Sequence, residues 1–197
     1  MLSYHTPKQL KSIELEVKRS RFIAYAQHIK GSMEAKSFIQ SLKDKYPDAR
    51  HHCYAFIGGA PNNSNLYGFS DDGEPNGTAG MPIFTHLKHC GLGEIIIVIV
   101  RYFGGTKLGT GGLARAYGDA AKQVLQLVNT QEFIAMEKIH LIMSFALEAQ
   151  VRKELQAIGG SVKEVSYGQK VHMIAEKPIQ HPLDLPYCVE ASPESTI

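Results

Sequence analysis

Long apolar runs, paired cysteines and an excess of either charge are missing from this 197-residue chain, and each absence removes a class of protein. The longest unbroken apolar stretch is the six residues 95–100, far short of the roughly 20 that a membrane-spanning helix requires. The opening residues, MLSYHTPKQLKS, contain no hydrophobic signal region, so a cytoplasmic protein is expected. Cysteine occurs three times, at Cys53, Cys90 and Cys188. An odd count without CxxC spacing gives neither a disulfide framework nor a zinc knuckle, and all three read as reduced thiols. Lysine and arginine total 21 against 19 aspartates and glutamates, a net charge of +2. That is too mild to require nucleic acid as a partner, although local clusters would still supply phosphate contacts. At 44% hydrophobic content the chain can bury an ordinary core, in one domain or two small ones.

Glycine, by contrast, is gathered into two dense clusters. SDDGEPNGTAG runs from Ser70 to Gly80, RYFGGTKLGTGGLARAY runs from Arg101 to Tyr117, and EIIIVIV fills Glu94 to Val100 between them. Six consecutive apolar residues fit a strand covered on both faces. Glycine is required where φ is positive or where another group comes too close for a Cβ, so these clusters mark shaped backbone and the place to look for a ligand. Ser12 to Ile29 reads as two paired strands around KRSRF. A helix capped by Ser32 follows, with Ala35, Phe38, Ile39, Leu42 and Tyr46 on its apolar face and Pro47 as its stop. His51 to Gly59 and Asn65 to Phe69 read as strands, and a helix starting between Thr78 and Pro82 turns Ile83, Leu87 and Cys90 inward. Past the second cluster, Leu113, Tyr117, Ala120, Val124 and Leu127 recur at helical spacing from a start at Gly111 or Gly112. Asn129 to Glu137 reads as a linker. Strand, helix, strand and strand then follow at Lys138 to Ala146, Leu147 to Ile158, Ser161 to Tyr167 and Lys170 to Ala175. Pro178, Pro182 and Pro186 forbid a regular helix in the remainder, so the second unit reads as unfinished at its end.

The second cluster has the makings of an anion site. Free N–H groups at Gly111 to Leu113 open a helix and carry partial positive charge, with Lys107 and Arg115 near them in sequence. A tight strand-to-helix crossover would use Gly104, Gly105, Gly109, Gly111 and Gly112 equally well. Nucleotide motifs fit poorly. Gly104 to Gly109 is followed by Thr110 where a Walker A loop has lysine, and the GxGxxA of Gly109, Gly111 and Ala114 starts nine residues past Val100. In the first cluster Asp71, Asp72 and Glu74 crowd three carboxylates into four residues, able to hold Mg²⁺ through water or to accept from a partner's basic groups. Turn chemistry, in which aspartate bonds its own backbone, is the better reading of the same residues. Lys18, Arg19 and Arg21 form a basic knot that with Arg50, His51, His52, Arg101 and Lys107 would line a phosphate-tracking groove beside Phe22, Tyr54, Tyr102 and Phe103. Such charges also serve simply to solvate an edge strand. No metal is expected: His51, His52 and Cys53 are strand neighbours facing opposite ways, and His86, His89 and Cys90 lack a fourth ligand. Cys53, among apolar neighbours, reads as an inert buried thiol.

Taken together, KRSRF at Lys18 to Phe22, ARHHCYA at Ala49 to Ala55, SDDGEPNGTAGMP at Ser70 to Pro82 and VRYFGGTKLGTGGLARAY at Val100 to Tyr117 closely resemble the IMPACT family in its bacterial YigZ-like branch. The resemblance covers the first 130 residues or so. It implies an α+β protein: an N-terminal domain over 1–130 with the fold of ribosomal protein S5 domain 2, then a small ferredoxin-like domain over 137–197 similar to those at the end of elongation factor G. Eukaryotic relatives are non-enzymatic regulators of translation in a starvation-sensing kinase pathway. For a bacterial-type architecture the resemblance implies a different partner, namely ribosome, tRNA or other RNA, or a translation factor, with no catalytic residue and no cofactor to carry over. The expected binding surface joins Arg19, Arg21, His51, His52, Thr78, Arg101, Tyr102, Gly104, Gly105, Lys107, Gly109, Gly111, Gly112 and Arg115, with Asp71, Asp72 and Glu74 opposite. The S5-like fold also underlies small-molecule kinases, which leaves a phosphate- or Mg-nucleotide-binding enzyme using the helix start at Gly109 to Leu113 as the alternative.

Overall fold

The computed structural model describes residues 3–186 and 189–193. Two compact units divide the chain, one from Ser3 to Phe133 and the other from Ile134 onward.

The first unit is built on a five-stranded sheet in the order β2-β3-β6-β4-β5. Its strands are Lys11–Val17 (β2), Ser20–His28 (β3), His51–Ile57 (β4), Tyr67–Ser70 (β5) and Ile95–Tyr102 (β6), each antiparallel to its neighbour. β6 sits at the centre, and the period-2 alternation of a strand sends its apolar run to both faces. Ile95, Ile97 and Ile99 join Phe22, Cys53, Ile83, Leu87, Tyr117 and Val124 in one core, under helices Gly80–His89 (α2) and Thr110–Gln126 (α3). Ile96, Val98 and Val100 join Ile23, Ile39 and Leu42 in a second core under helix Gly31–Lys45 (α1). The two-faced strand read from the sequence is thus the one found. β2 and β3 form a hairpin in which Val17 pairs with Ser20, so Lys18 and Arg19 make a two-residue loop. Their φ values of 48° and 66° give it the signature of a type I′ turn.

Several local expectations shift. α1 begins at Gly31 with no side-chain cap, and it is Glu34 that reaches back to accept from the Lys30 N–H at 2.7 Å. Ser32 does not act as the cap. α3 begins at Thr110, just after Gly109 at φ +73°. Leu127, expected on its apolar face, falls just past the helix end and is 46% exposed. The segment read as a linker contains a strand: Thr130–Ile134 (β7) pairs with Ser3–Pro7 (β1), an N-terminal strand that sequence reasoning missed.

The second unit has strands Met136–Met143 (β8), Ser161–Tyr167 (β9), Val171–Pro178 (β10) and Glu190–Pro193 (β11), with helix Glu148–Ala157 (α4). The sheet order is β11-β8-β10-β9, all antiparallel. In order of appearance this is 4-1-3-2: the tail, expected to leave the unit without a further strand, supplies a fourth strand along β8. As the prolines require, no helix follows α4 among the described residues. Val151 and Leu155 of α4 bury against Leu141, Met143, Val171 and Met173. Cys188, read as a reduced thiol, lies outside the described residues.

Candidate functional site

The C-terminal end of β6 delivers Arg101 to the row of side chains that meets both glycine clusters. Register places Arg101 opposite Phe22 on β3 and His51 on β4, and Ser20 starts β3 beside them. Arg101 is only 6% exposed. Its Nη1 donates to Glu74 Oε1 at 2.6 Å, and Tyr117 Oη of α3 donates to the same oxygen at 2.8 Å. Ser20 Oγ accepts from Arg101 Nη2 at 3.3 Å and from the Gly104 N–H at 3.2 Å. The guanidinium carbon also lies 5.5 Å from the Phe22 ring centre and 5.7 Å from that of Phe103. Its Nε–H is buried without a hydrogen-bond partner among the described residues. One arginine therefore ties the hairpin, the first cluster, the second cluster and α3 together.

The first cluster spends its carboxylates internally. Asp71 accepts from the N–H groups of Gly77, Ala79 and Gly80 at 2.8, 2.9 and 2.8 Å, satisfying donors at the start of α2 that no helical carbonyl can reach. Partial burial opposes its ionisation, but those three donors outweigh it and hold the carboxyl below the usual range. Asp72, at φ +41°, accepts from Lys43 Nζ at 3.1 Å and the His52 N–H at 2.7 Å. Glu74 is committed to Arg101, and Thr78 Oγ1 donates to the Pro75 carbonyl at 2.6 Å instead of capping α2. Turn chemistry is what this cluster carries. No group of three or more potential metal ligands occurs among the described residues.

The second cluster is shaped by close approach. A Cβ on Gly104 would lie 2.0 Å from the Arg19 carbonyl carbon, so only glycine lets the loop pack against the hairpin turn. Gly105 and Gly109 take φ +84° and +73°. Gly111 and Gly112 lie within the first turn of α3, and Arg115 Nε donates back to the Gly111 carbonyl at 3.2 Å. A cleft of about 350 Å³ opens between the clusters, lined by Glu74, Arg101, Phe103, Lys107, Gly109 and Thr110 among others. Beside it a second cleft of about 280 Å³ is lined by Asp48, Arg50, His51, Arg101, Tyr102 and Phe103. Arg101 and Phe103 border both.

Of the residues singled out in the sequence, His51, Arg101, Tyr102, Lys107, Gly109 and Glu74 meet at these clefts. His52 does not: it is buried on the α1 face, and desolvation lowers its pKa despite nearby Asp72. Arg21 is not among the residues lining either cleft; it pairs with Glu14 at 2.6 Å and lies 5.6 Å from the ring centre of Tyr102. Arg19 is an exposed turn residue. Sequence reading missed the polar role of Ser20, Cys53 and Tyr117. Tyr117 was counted as an apolar helix position, and its hydroxyl partner is 43 residues away. Burial first, then Cys53 and Glu74, pushes the Tyr117 phenol up; burial likewise pushes up the Cys53 thiol. Both stay neutral. A second polar cluster lies at the opposite end of β6. There Glu94, at φ +50°, accepts from Tyr4 Oη at 3.0 Å and sits 2.7 Å from His28 Nε2.

A sequence model of the Impact N-terminal domain matches residues 18–125, more than half of the chain and all of the loops just described. The chain belongs to the IMPACT family. Within it, an IMPACT family member of Haemophilus influenzae is 50% identical over 131 residues, and the IMPACT family member YigZ of Escherichia coli is 49% identical over 131. Each match covers 66% of this chain but 64% of the relative, just under two thirds of its length. These place the chain in the YigZ-like branch. A solved crystal structure, described only as that of a hypothetical protein, is 39% identical, covers 90% of this chain and 86% of its own, and superposes with a TM-score of 0.72. That match supports the α+β fold across both units.

Proposed function

We propose that this IMPACT family member is a non-enzymatic regulator or accessory factor of translation. It works in the cytoplasm by binding ribosome, RNA or a translation factor through the glycine-loop end of its first unit. The observation that carries this reading is a separation of charge. The first cluster's acidic groups are paired within the fold, with Arg101, Lys43 and backbone donors, while Arg19, Arg50, Lys107 and Arg115 at the same end are exposed. Exposed cations flanking aromatic side chains suit a phosphate-rich or acidic partner. The buried Cys53 and Tyr117, held neutral by burial, offer no activated nucleophile. Family membership supports translation as the setting, because eukaryotic relatives regulate that process without catalysing a reaction.

The test is co-sedimentation of the full chain with purified ribosomes, and pull-down of purified translation factors, over a salt series. Association that weakens steeply between about 50 and 200 mM salt is expected. Absence of any association at the lowest salt sinks the reading. Stabilisation by Mg-ATP or Mg-GTP of a few kcal/mol at a hundredfold excess over Kd would instead favour a nucleotide-using enzyme.

A further inference from the structure

We propose that the ligand of this end is a single-stranded polynucleotide, with one base stacked on Phe103 and neighbouring phosphates taken by the clefts on either side. This rests on the binding reading above, which makes RNA the source. Phe103 follows β6 directly, is 55% exposed and borders both clefts, so its ring is accessible to a base. It is also held in place. The Arg101 guanidinium lies 5.7 Å from its ring centre and is itself fixed by Glu74 at 2.6 Å and backed by Phe22. A base laid on Phe103 would extend an existing stack, with little ordering cost.

The charges beside the ring follow the alternation of a polynucleotide strand. On one side the 350 Å³ cleft offers Lys107 and the start of α3 at Gly109 and Thr110, where first-turn N–H groups have no helical acceptor. Arg101 lines the same cleft, 6% exposed and with an unpartnered Nε–H. Glu74 lines it too, its carboxylate neutralised by that arginine. On the other side the second cleft offers Arg50 and His51; its acid, Asp48, is occupied by the Tyr102 hydroxyl at 2.8 Å. A cation on each side of an aromatic platform fits phosphate, base, phosphate. A duplex keeps its bases stacked inside and has no use for the ring. An acidic protein surface would use the cations and leave the ring unexplained.

The experiment is fluorescence anisotropy of the full chain with unstructured RNA and DNA oligonucleotides of about 12 nucleotides, and with the corresponding duplex. RNA should bind more tightly than duplex. Phe103→Ala should weaken binding about tenfold or more without changing the melting temperature, and Phe103→Tyr should restore it. Lys107→Ala should lower the slope of log affinity against log salt by about 0.7. No binding at low salt, indifference to Phe103→Ala, or equal affinity for duplex overturns the proposal. Equal binding of DNA supports the stacking site but overturns RNA as its source. Ribosome or factor association that persists without oligonucleotide binding overturns this inference while sparing the broader function, and loss of both overturns both.

Discussion

Glu74→Ala removes the acceptor shared by Arg101 and Tyr117, leaving a guanidinium 6% exposed with only Ser20 as a polar partner and a buried phenol with no carboxylate. Deleting one member of a buried ion pair costs about 3–5 kcal/mol, because the remaining charge stays desolvated without compensation. For a unit of this size that is a fall in melting temperature of roughly 10–20 °C. Urea unfolding, followed by a probe confined to the first unit, measures the loss directly. The paired change Glu74→Leu with Arg101→Met removes both charges and keeps apolar volume, so it should recover most of the stability. Breaking the half-exposed Arg21–Glu14 pair by Glu14→Ala should scarcely move the midpoint. The reasoning fails if Glu74→Ala costs no more than Glu14→Ala, or if the paired change is no better than the single one.

Further outcomes follow from the same geometry. Asp71 has a lowered folded pKa, so its contribution is full above its unfolded value near 4 and is lost as pH falls below it. Asp71→Asn should therefore flatten the acid limb of the stability curve measured by denaturant midpoints. His52, also depressed, should cost stability as pH falls below about 6.5, and replacing it with a neutral residue should remove that limb. The raised Cys53 thiol should resist alkylation at neutral pH until the first unit unfolds, which mass-resolved labelling would detect. Gly104→Ala forces a Cβ to 2.0 Å from backbone and should cost about 3 kcal/mol or more, whereas Gly77→Ala, at φ +74° in open space, should cost about 1–2 kcal/mol. Equal costs at the two glycines would show that the close approach at Gly104 relaxes easily.

What could be read from sequence was what short-range periodicity encodes. The apolar run 95–100 announced a strand covered on both sides, and helical spacing found most buried positions of α1, α2 and α3, Leu127 excepted, with each start within two residues. Pairings between distant segments were not legible. β1 and β7 carry no strong alternation, and they pair across more than a hundred residues. β11 lay hidden behind three prolines, which correctly forbade a helix but do not prevent a short edge strand. At the site, glycine placement announced shaped backbone. The direction of the carboxylates was invisible, because Asp71 and Glu74 find partners set by the tertiary fold. Tyr117 was taken for core on good grounds, since its ring is core and only its hydroxyl is polar.

The Lys18-Arg19 turn places two cations at the cost of backbone strain. Both residues carry side chains in a region of φ that Asn-Gly occupies at far lower cost. Asn-Gly in their place would relieve the backbone and remove two exposed cations from the hairpin tip. Lysine and arginine at this turn thus set local folding stability against the electric potential of the surface around it.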